Sequence, residues 1–161
     1  MKRCRTISSF FGVIFTFFTV LVYADSFEQH VVSVYHGPSA KPNFQSLPGS
    51  RMFRTKINEG IKQGVNFAGH YAIVTFGCGT SCTFSFLVDV KSGKIFDFPL
   101  GGEKNFDLLL DYRSDSKLLK ASWIEGDDPI DNPICVCQEF VLKGTAFKPL
   151  YQIKAKGKCK H

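Results

Sequence analysis

The spacing of hydrophobic residues changes along the chain, and the first regular spacing predicts a helix. Apolar residues recur every four positions at Phe53, Ile57 and Ile61, which places them on one face of a helix. Ser50 is suited to the N-cap, and Gly64 is a natural helix end. We therefore predict an early amphipathic helix whose apolar stripe packs against another layer of the protein.

From Asn66 onward the apolar residues alternate with a period of two, which is typical of β-strands. Short turns separate the segments, so neighbouring strands are expected to pair antiparallel. The predicted fold class is α+β: an antiparallel β-meander of about six to seven strands, stabilised by disulfides, with the early helix packed on one face. The strands are predicted at residues 71–76, 83–90, 94–98, 108–112, 117–123, 134–142 and 147–153, with a further short strand before the helix at 29–35.

A different pattern occupies the start of the chain. Lys2, Arg3 and Arg5 form a basic segment, an uncharged apolar run follows at residues 10–23, and Ala24 is a small residue at its end. The run is about 14 residues long, which is short for a helix that spans a bilayer. This layout is that of a secretory signal peptide cleaved after Ala24. An uncleaved membrane anchor is the alternative.

Removal of residues 1–24 from the 161-residue chain leaves 137 residues, the size of one domain. We predict that residues 25–161 form a single globular domain in the periplasm or outside the cell. They contain 17 of the 20 basic residues and all 14 acidic residues, a formal charge of +3, which is too small for a typical nucleic-acid-binding face. The expected partner is an envelope protein or a cell-wall component, with no nucleic acid and no stable membrane span after cleavage.

Five cysteines remain after the predicted cleavage: Cys78, Cys82, Cys135, Cys137 and Cys159. Cysteines of exported proteins usually pair, and five allow at most two disulfides. The pairing of Cys78 with Cys82 is favoured because glycines flank Cys78, and Cys159 is expected to pair with Cys135 or Cys137. Bonds from the first pair to Cys135 or Cys137 are the alternative. A zinc site with four thiolates is disfavoured by the spacing and by export, so we predict no metal and no cofactor.

The loop between Cys78 and Cys82 is the candidate binding site. Gly77, Gly79, Thr80 and Ser81 offer backbone donors and two hydroxyls on a short loop that a disulfide would hold rigid. His70 and Tyr71 form an alternative or structural site. A catalytic pair of His70 with Cys78 is disfavoured, because eight residues of straight strand separate them by roughly 25 Å.

Three motifs resemble a family of small, exported, uncharacterised bacterial proteins. They are Asn66-Phe67-Ala68-Gly69-His70-Tyr71, the Gly77-Cys78-Gly79-x-x-Cys82 loop and Asp89-x-x-Ser92-Gly93-Lys94, and the hairpin at residues 112–119 fits the same group. The resemblance carries no established activity. The layout is also similar to the Ivy-type periplasmic lysozyme inhibitors, which place a helix before a sheet and carry a short disulfide loop between two strands. The charged and histidine residues of their inhibitory loop are missing here.

The sequence thus predicts an exported, disulfide-stabilised binding or inhibitory protein rather than an enzyme. No Gly-rich phosphate loop, nucleophile elbow or zinc-protease motif occurs in the chain. Two alternatives stay open. One is a small envelope enzyme that uses His70, Tyr71 and a loop carboxylate such as Asp127. The other is a redox-active protein in which an unpaired Cys135 or Cys137 reacts.

Overall fold

The computed structural model describes residues 25–125 and 131–156. The predicted leader, Asp127 and Cys159 lie outside these residues. Within the described part the chain forms one α-helix and seven β-strands, joined by short 3-10 helices. The elements are 3-10 helices at Phe27–His30, Pro48–Phe53 and Glu103–Asn105, helix α1 at Arg54–Lys62, and strands β1 Tyr71–Gly79, β2 Cys82–Asp89, β3 Ile95–Asp97, β4 Phe106–Tyr112, β5 Leu118–Glu125, β6 Ile134–Lys143 and β7 Ala146–Lys156.

The strands are antiparallel, as predicted, but they form two sheets. One sheet has the order β1-β2-β3 and the other has the order β4-β5-β6-β7. The prediction of one continuous meander is therefore wrong, whereas the α+β class, the strand number and the early helix are confirmed. The strand positions after Asn66 agree with the alternation of apolar residues, since every predicted segment overlaps a strand.

The meander is interrupted at two consecutive glycines after β3. Gly101 and Gly102 have φ angles of 131° and 71°, which glycine adopts far more easily than other residues. The Gly102 amide donates to the carbonyl of Thr83 at 2.8 Å, and a Cβ on Gly101 would lie 2.6 Å from the same oxygen. The connection therefore lies against β2 and directs β4 into a separate sheet.

The three-stranded sheet lies between α1 and the four-stranded sheet. Ile57 and Ile61 of α1 are buried against one of its faces, as the four-residue spacing predicts. Its other face packs against the second sheet, where each large buried side chain contributes about 1.5–3 kcal/mol. This core between the sheets contains Phe67, Tyr71, Ile73, Leu87, Leu108, Leu119, Trp123, Val136, Phe140 and Leu142.

Two local predictions before β1 are wrong. Residues 29–35 do not form a strand. Phe27–His30 is a 3-10 helix, at whose start the Ser26 amide donates to the Gln29 side chain at 2.7 Å, and in the segment after it only Val31 makes an isolated bridge, to Ser116. Ser50 does not cap α1. It is buried inside the preceding 3-10 helix, where its hydroxyl donates to the carbonyl of Leu47 at 2.6 Å.

Candidate functional site

Residues 66–71, which we call the entry turn, lead into β1 and are tied down by the fold. The Asn66 side chain pairs with the backbone of Ile73, accepting from its amide at 2.8 Å and donating to its carbonyl at 3.0 Å. Phe67 is fully buried, and its ring stacks on Phe147 and meets the edge of Tyr112. The motif therefore holds β1 in place and belongs to the core.

Gly69 joins the entry turn to two other segments. Its amide donates to the carbonyl of Ser114 at 2.7 Å, and its own carbonyl accepts from the Tyr35 amide at 2.7 Å. The residue has a φ of 83°, and a Cβ there would lie 2.6 Å from the carbonyl oxygen of Ser33. The glycine is therefore required by backbone conformation and by close packing.

His70 and Tyr71 also belong to this framework. Burial lowers the pKa of His70, although the nearby charge of Asp89 partly opposes that effect. Its ring lies 4.2 Å from the ring of Tyr71, and its carbonyl accepts from the Val90 amide. Tyr71 is 7% exposed, and burial followed by the charge of Asp89 raises the pKa of its phenol.

The geometry does not bring His70 and Cys78 together. His70 directly precedes β1, Cys78 lies near the other end of that strand, and Cys78 is bonded to Cys82. A straight strand of this length separates them by roughly 25 Å. A cysteine–histidine catalytic pair is therefore absent from this part of the structure.

The third motif is a turn that the fold also requires. The carboxylate of Asp89 accepts from the Lys91 amide at 2.9 Å and from the Ser92 hydroxyl at 2.6 Å. Gly93 has a φ of 74°, and a Cβ there would lie 2.0 Å from the carbonyl oxygen of Lys41. Two of the three motifs are therefore explained by folding, which leaves the cysteine loop.

Residues 77–82, which we call the hairpin tip, join β1 to β2. The predicted disulfide between Cys78 and Cys82 is confirmed, with a Cα–Cα distance of 5.1 Å. Gly79 and Ser81 have φ angles of 143° and 52°, so both residues of the turn have a positive φ, and the serine adopts the left-handed conformation. A register shift between Gly77 and Gly79 marks a bulge in β1.

One side of the hairpin tip is anchored to the start of β4. The Asp107 amide donates to the carbonyl of Ser81 at 2.9 Å. Gly77, Gly79 and Thr80 are exposed on the other side, and a Cβ on Gly77 would meet nothing closer than 4.0 Å. The fold thus fixes the position of the tip while leaving these residues accessible.

An aromatic surface adjoins the hairpin tip on the face of the sheet that α1 covers only in part. This aromatic patch consists of Phe53, Phe76, Phe84 and Phe86. Their rings form a chain of contacts, with centroids 4.5 Å apart for Phe53–Phe76 and 6.3 Å for Phe76–Phe84. Phe84 is 44% exposed. The patch borders an open groove of about 300 Å³ that Leu47, Phe98 and the exposed Asp97 also line.

Sequence reasoning missed the aromatic patch, although a signal was present. Phe84 and Phe86 share one strand face, and Phe76 pairs directly with Phe84 across the hairpin. Phe53, the first residue of the predicted helical stripe, lies in the preceding 3-10 helix, because α1 starts only at Arg54. A helix of nine residues covers only the inner part of a sheet face whose apolar residues extend to the tip.

The other two cysteines of the described residues are also bonded. Cys135 and Cys137 are both disulfide-bonded, so neither offers the unpaired thiol that the redox alternative needs. The predicted bond to Cys159 falls outside the described residues.

Across residues 25–125 and 131–156 there is no group of three or more His, Cys, Asp or Glu side chains placed to hold a metal ion. No helix in these ranges is long and apolar enough to cross a membrane.

Comparison with known proteins identified no relative of this chain. No protein-family model, curated protein or solved structure matches the chain. The interpretation of the site therefore depends on its own geometry.

Proposed function

We propose that the protein is an exported binding or inhibitory module that contacts its partner through the hairpin tip and the aromatic patch. The observation that carries the proposal is the position of an exposed, disulfide-closed turn beside an aromatic surface on which Phe84 is exposed and its three neighbouring rings are half-buried. Export is supported by the leader-like start of the sequence and by the disulfides.

The two parts of the site supply complementary chemistry. The tip exposes Gly77, Gly79 and the hydroxyl-bearing Thr80, and its disulfide lowers the entropy that binding must remove. The aromatic patch supplies large, partly exposed rings, which are the residues that anchor protein interfaces.

An envelope protein that inserts an apolar or aromatic side chain fits this surface best. The groove beside Phe84 is open and about 300 Å³ in volume, at the small end of ligand pockets. It is therefore suited to one side chain rather than to a large ligand. A cell-wall fragment, whose sugar rings would stack on the same phenylalanines, is the competing occupant.

The test is capture from an envelope extract with the mature protein as bait. Thr80→Trp blocks the tip, Phe84→Ser removes an exposed ring of the patch, and Leu150→Ser removes a similarly exposed apolar residue from β7. We expect one stoichiometric protein to bind the unchanged bait and Leu150→Ser but not the other two variants. Capture of wall fragments alone would favour the competing occupant, and equal capture by all four baits would refute the assigned surface.

A further inference from the structure

The first described residue, Asp25, is held by a buried carboxylate. The Asp25 main-chain nitrogen donates to Glu139 Oε2 at 3.0 Å, although the two residues are 114 positions apart. Glu139 lies on β6 and is only 5% exposed. Its other oxygen, Oε1, lies 2.8 Å from Lys120 Nζ on the neighbouring strand, and Lys120 also donates to the carbonyl of Asp25.

The surroundings of this contact are charged. The Asp25 carboxylate lies 2.8 Å from His30 Nε2, and the ring of Phe27 lies beneath the ammonium of Lys120 at 5.6 Å. A buried carboxylate is costly unless it is paired and hydrogen-bonded. A neutral amide donor satisfies one lone pair of Glu139 but supplies no charge.

The leader pattern predicts that this same nitrogen becomes a chain terminus. Cleavage after Ala24 adds water across the Ala24–Asp25 peptide bond. The hydroxyl goes to the Ala24 carbonyl carbon, which leaves as a carboxylate, and the Asp25 nitrogen takes up protons to become an ammonium. The new charge would form on an atom already 3.0 Å from Glu139.

We propose that Glu139 is the docking site for the α-ammonium of Asp25, with Lys120 holding the Asp25 carbonyl, so that removal of the leader strengthens the attachment of the N-terminus to the four-stranded sheet. The amide already donates to a charged acceptor, and cleavage adds the Coulombic attraction between a positive charge on the same nitrogen and the buried carboxylate. The Asp25 and Glu139 carboxylates then balance the Lys120 and terminal ammonium groups. This inference rests on the predicted cleavage site and not on the hairpin tip.

The experiment uses the full chain exported by a secreting host, with and without one serine inserted between Ala24 and Asp25. The insertion keeps cleavage after Ala24 and keeps the Asp25 amide, but it moves the ammonium one residue away. N-terminal sequencing should begin at Asp25 for the chain without the insertion and at the added serine for the other chain. The chain without the insertion should melt about 4 °C higher, because only there does the ammonium lie on the nitrogen that faces Glu139.

Glu139→Gln in both backgrounds measures the coupling directly. It should lower the Tm more in the unmodified chain than in the serine-inserted one. The matched control is Glu125→Gln, which removes the carboxylate that binds Lys154 on the same sheet. Glu125→Gln should change the Tm by the same amount in both backgrounds. A mature start other than Asp25, equal Tm values, or an equal effect of Glu139→Gln would overturn the proposal.

A chemical readout covers the case in which Glu139→Gln does not fold. An aldehyde reagent selective for α-amines should label the mature chain without the insertion about tenfold more slowly than the serine-inserted chain. The reason is that a docked ammonium must first leave Glu139. Equal rates would overturn the proposal. Partner capture enters none of these measurements, so their failure would leave the proposed binding function intact.

Discussion

The entry turn and the hairpin tip lie at the two ends of β1 and both contain glycine, but their surroundings differ. The entry turn is packed between the sheets, and its polar groups pair with Ile73, Ser114 and Tyr35. The hairpin tip is anchored on one side, at Ser81, and presents Thr80 to solvent. Glycine, histidine or cysteine content alone therefore does not separate a folding motif from a recognition motif. The burial of the residues and their hydrogen-bond partners distinguish the two kinds of motif.

The largest contrast is expected between two phenylalanines. Phe67→Ala removes a fully buried ring beside Phe147 and should lower the free energy of unfolding by about 3–5 kcal/mol. Phe84→Ala removes a ring that is 44% exposed, and should cost less than about 1.5 kcal/mol. Denaturant unfolding measures both. Similar losses for the two variants would show that the aromatic patch is part of the core.

The next contrast compares two glycines, one in each segment. Gly69→Ala forces a side chain into a left-handed conformation and against the Ser33 carbonyl, so it should cost more than about 2 kcal/mol. Gly77→Ala meets no close neighbour and should change stability by less than about 0.5 kcal/mol. The same unfolding experiment gives both values. A large loss for Gly77→Ala would show that the tip is as constrained as the entry turn.

The local elements could be predicted from the sequence because each depends on nearby residues. The stripe of Ile57 and Ile61 indicates a helix face, and the flanking glycines of Cys78 indicate a closed turn, and both are present. The division into two sheets depends on where Gly101 and Gly102 place the chain relative to Thr83. Such a tertiary contact leaves no periodic signal in the sequence.

The candidate site was predictable only in part, for the same reason. Thr80 and Ser81 could be assigned to an exposed loop because turn residues and cysteines identify it. The aromatic patch could not, since exposure of Phe84 depends on where α1 begins and how far it covers the sheet. The role of His70 depends on burial by distant segments, which sequence spacing does not report.

Opening the disulfide tests how much the tip depends on it. Cys78→Ser with Cys82→Ser releases a loop with a sequence separation of 4, so the chain-entropy estimate gives a loss of no more than about 2 kcal/mol. Partner affinity should fall roughly tenfold beyond any unfolding, because the loosened tip must be ordered on binding. Titration calorimetry well below the melting temperature measures the affinity. Unchanged affinity would mean that the tip is not the contact surface.

The smallest expected effect is a pH dependence from His70. Burial lowers the pKa of its imidazole below the ordinary 6.5, so the folded state favours the neutral ring. The unfolded state then binds more protons just below pH 6.5. The stabilisation is complete above that pH and is lost as the pH falls through the lower, folded-state pKa. His70→Gln should therefore flatten the decline in Tm between pH 7 and about pH 5. If His70→Gln instead abolished partner capture or an activity without altering the unfolding curves, the entry turn would belong to the functional site, and the contrast between the two ends of β1 would fail.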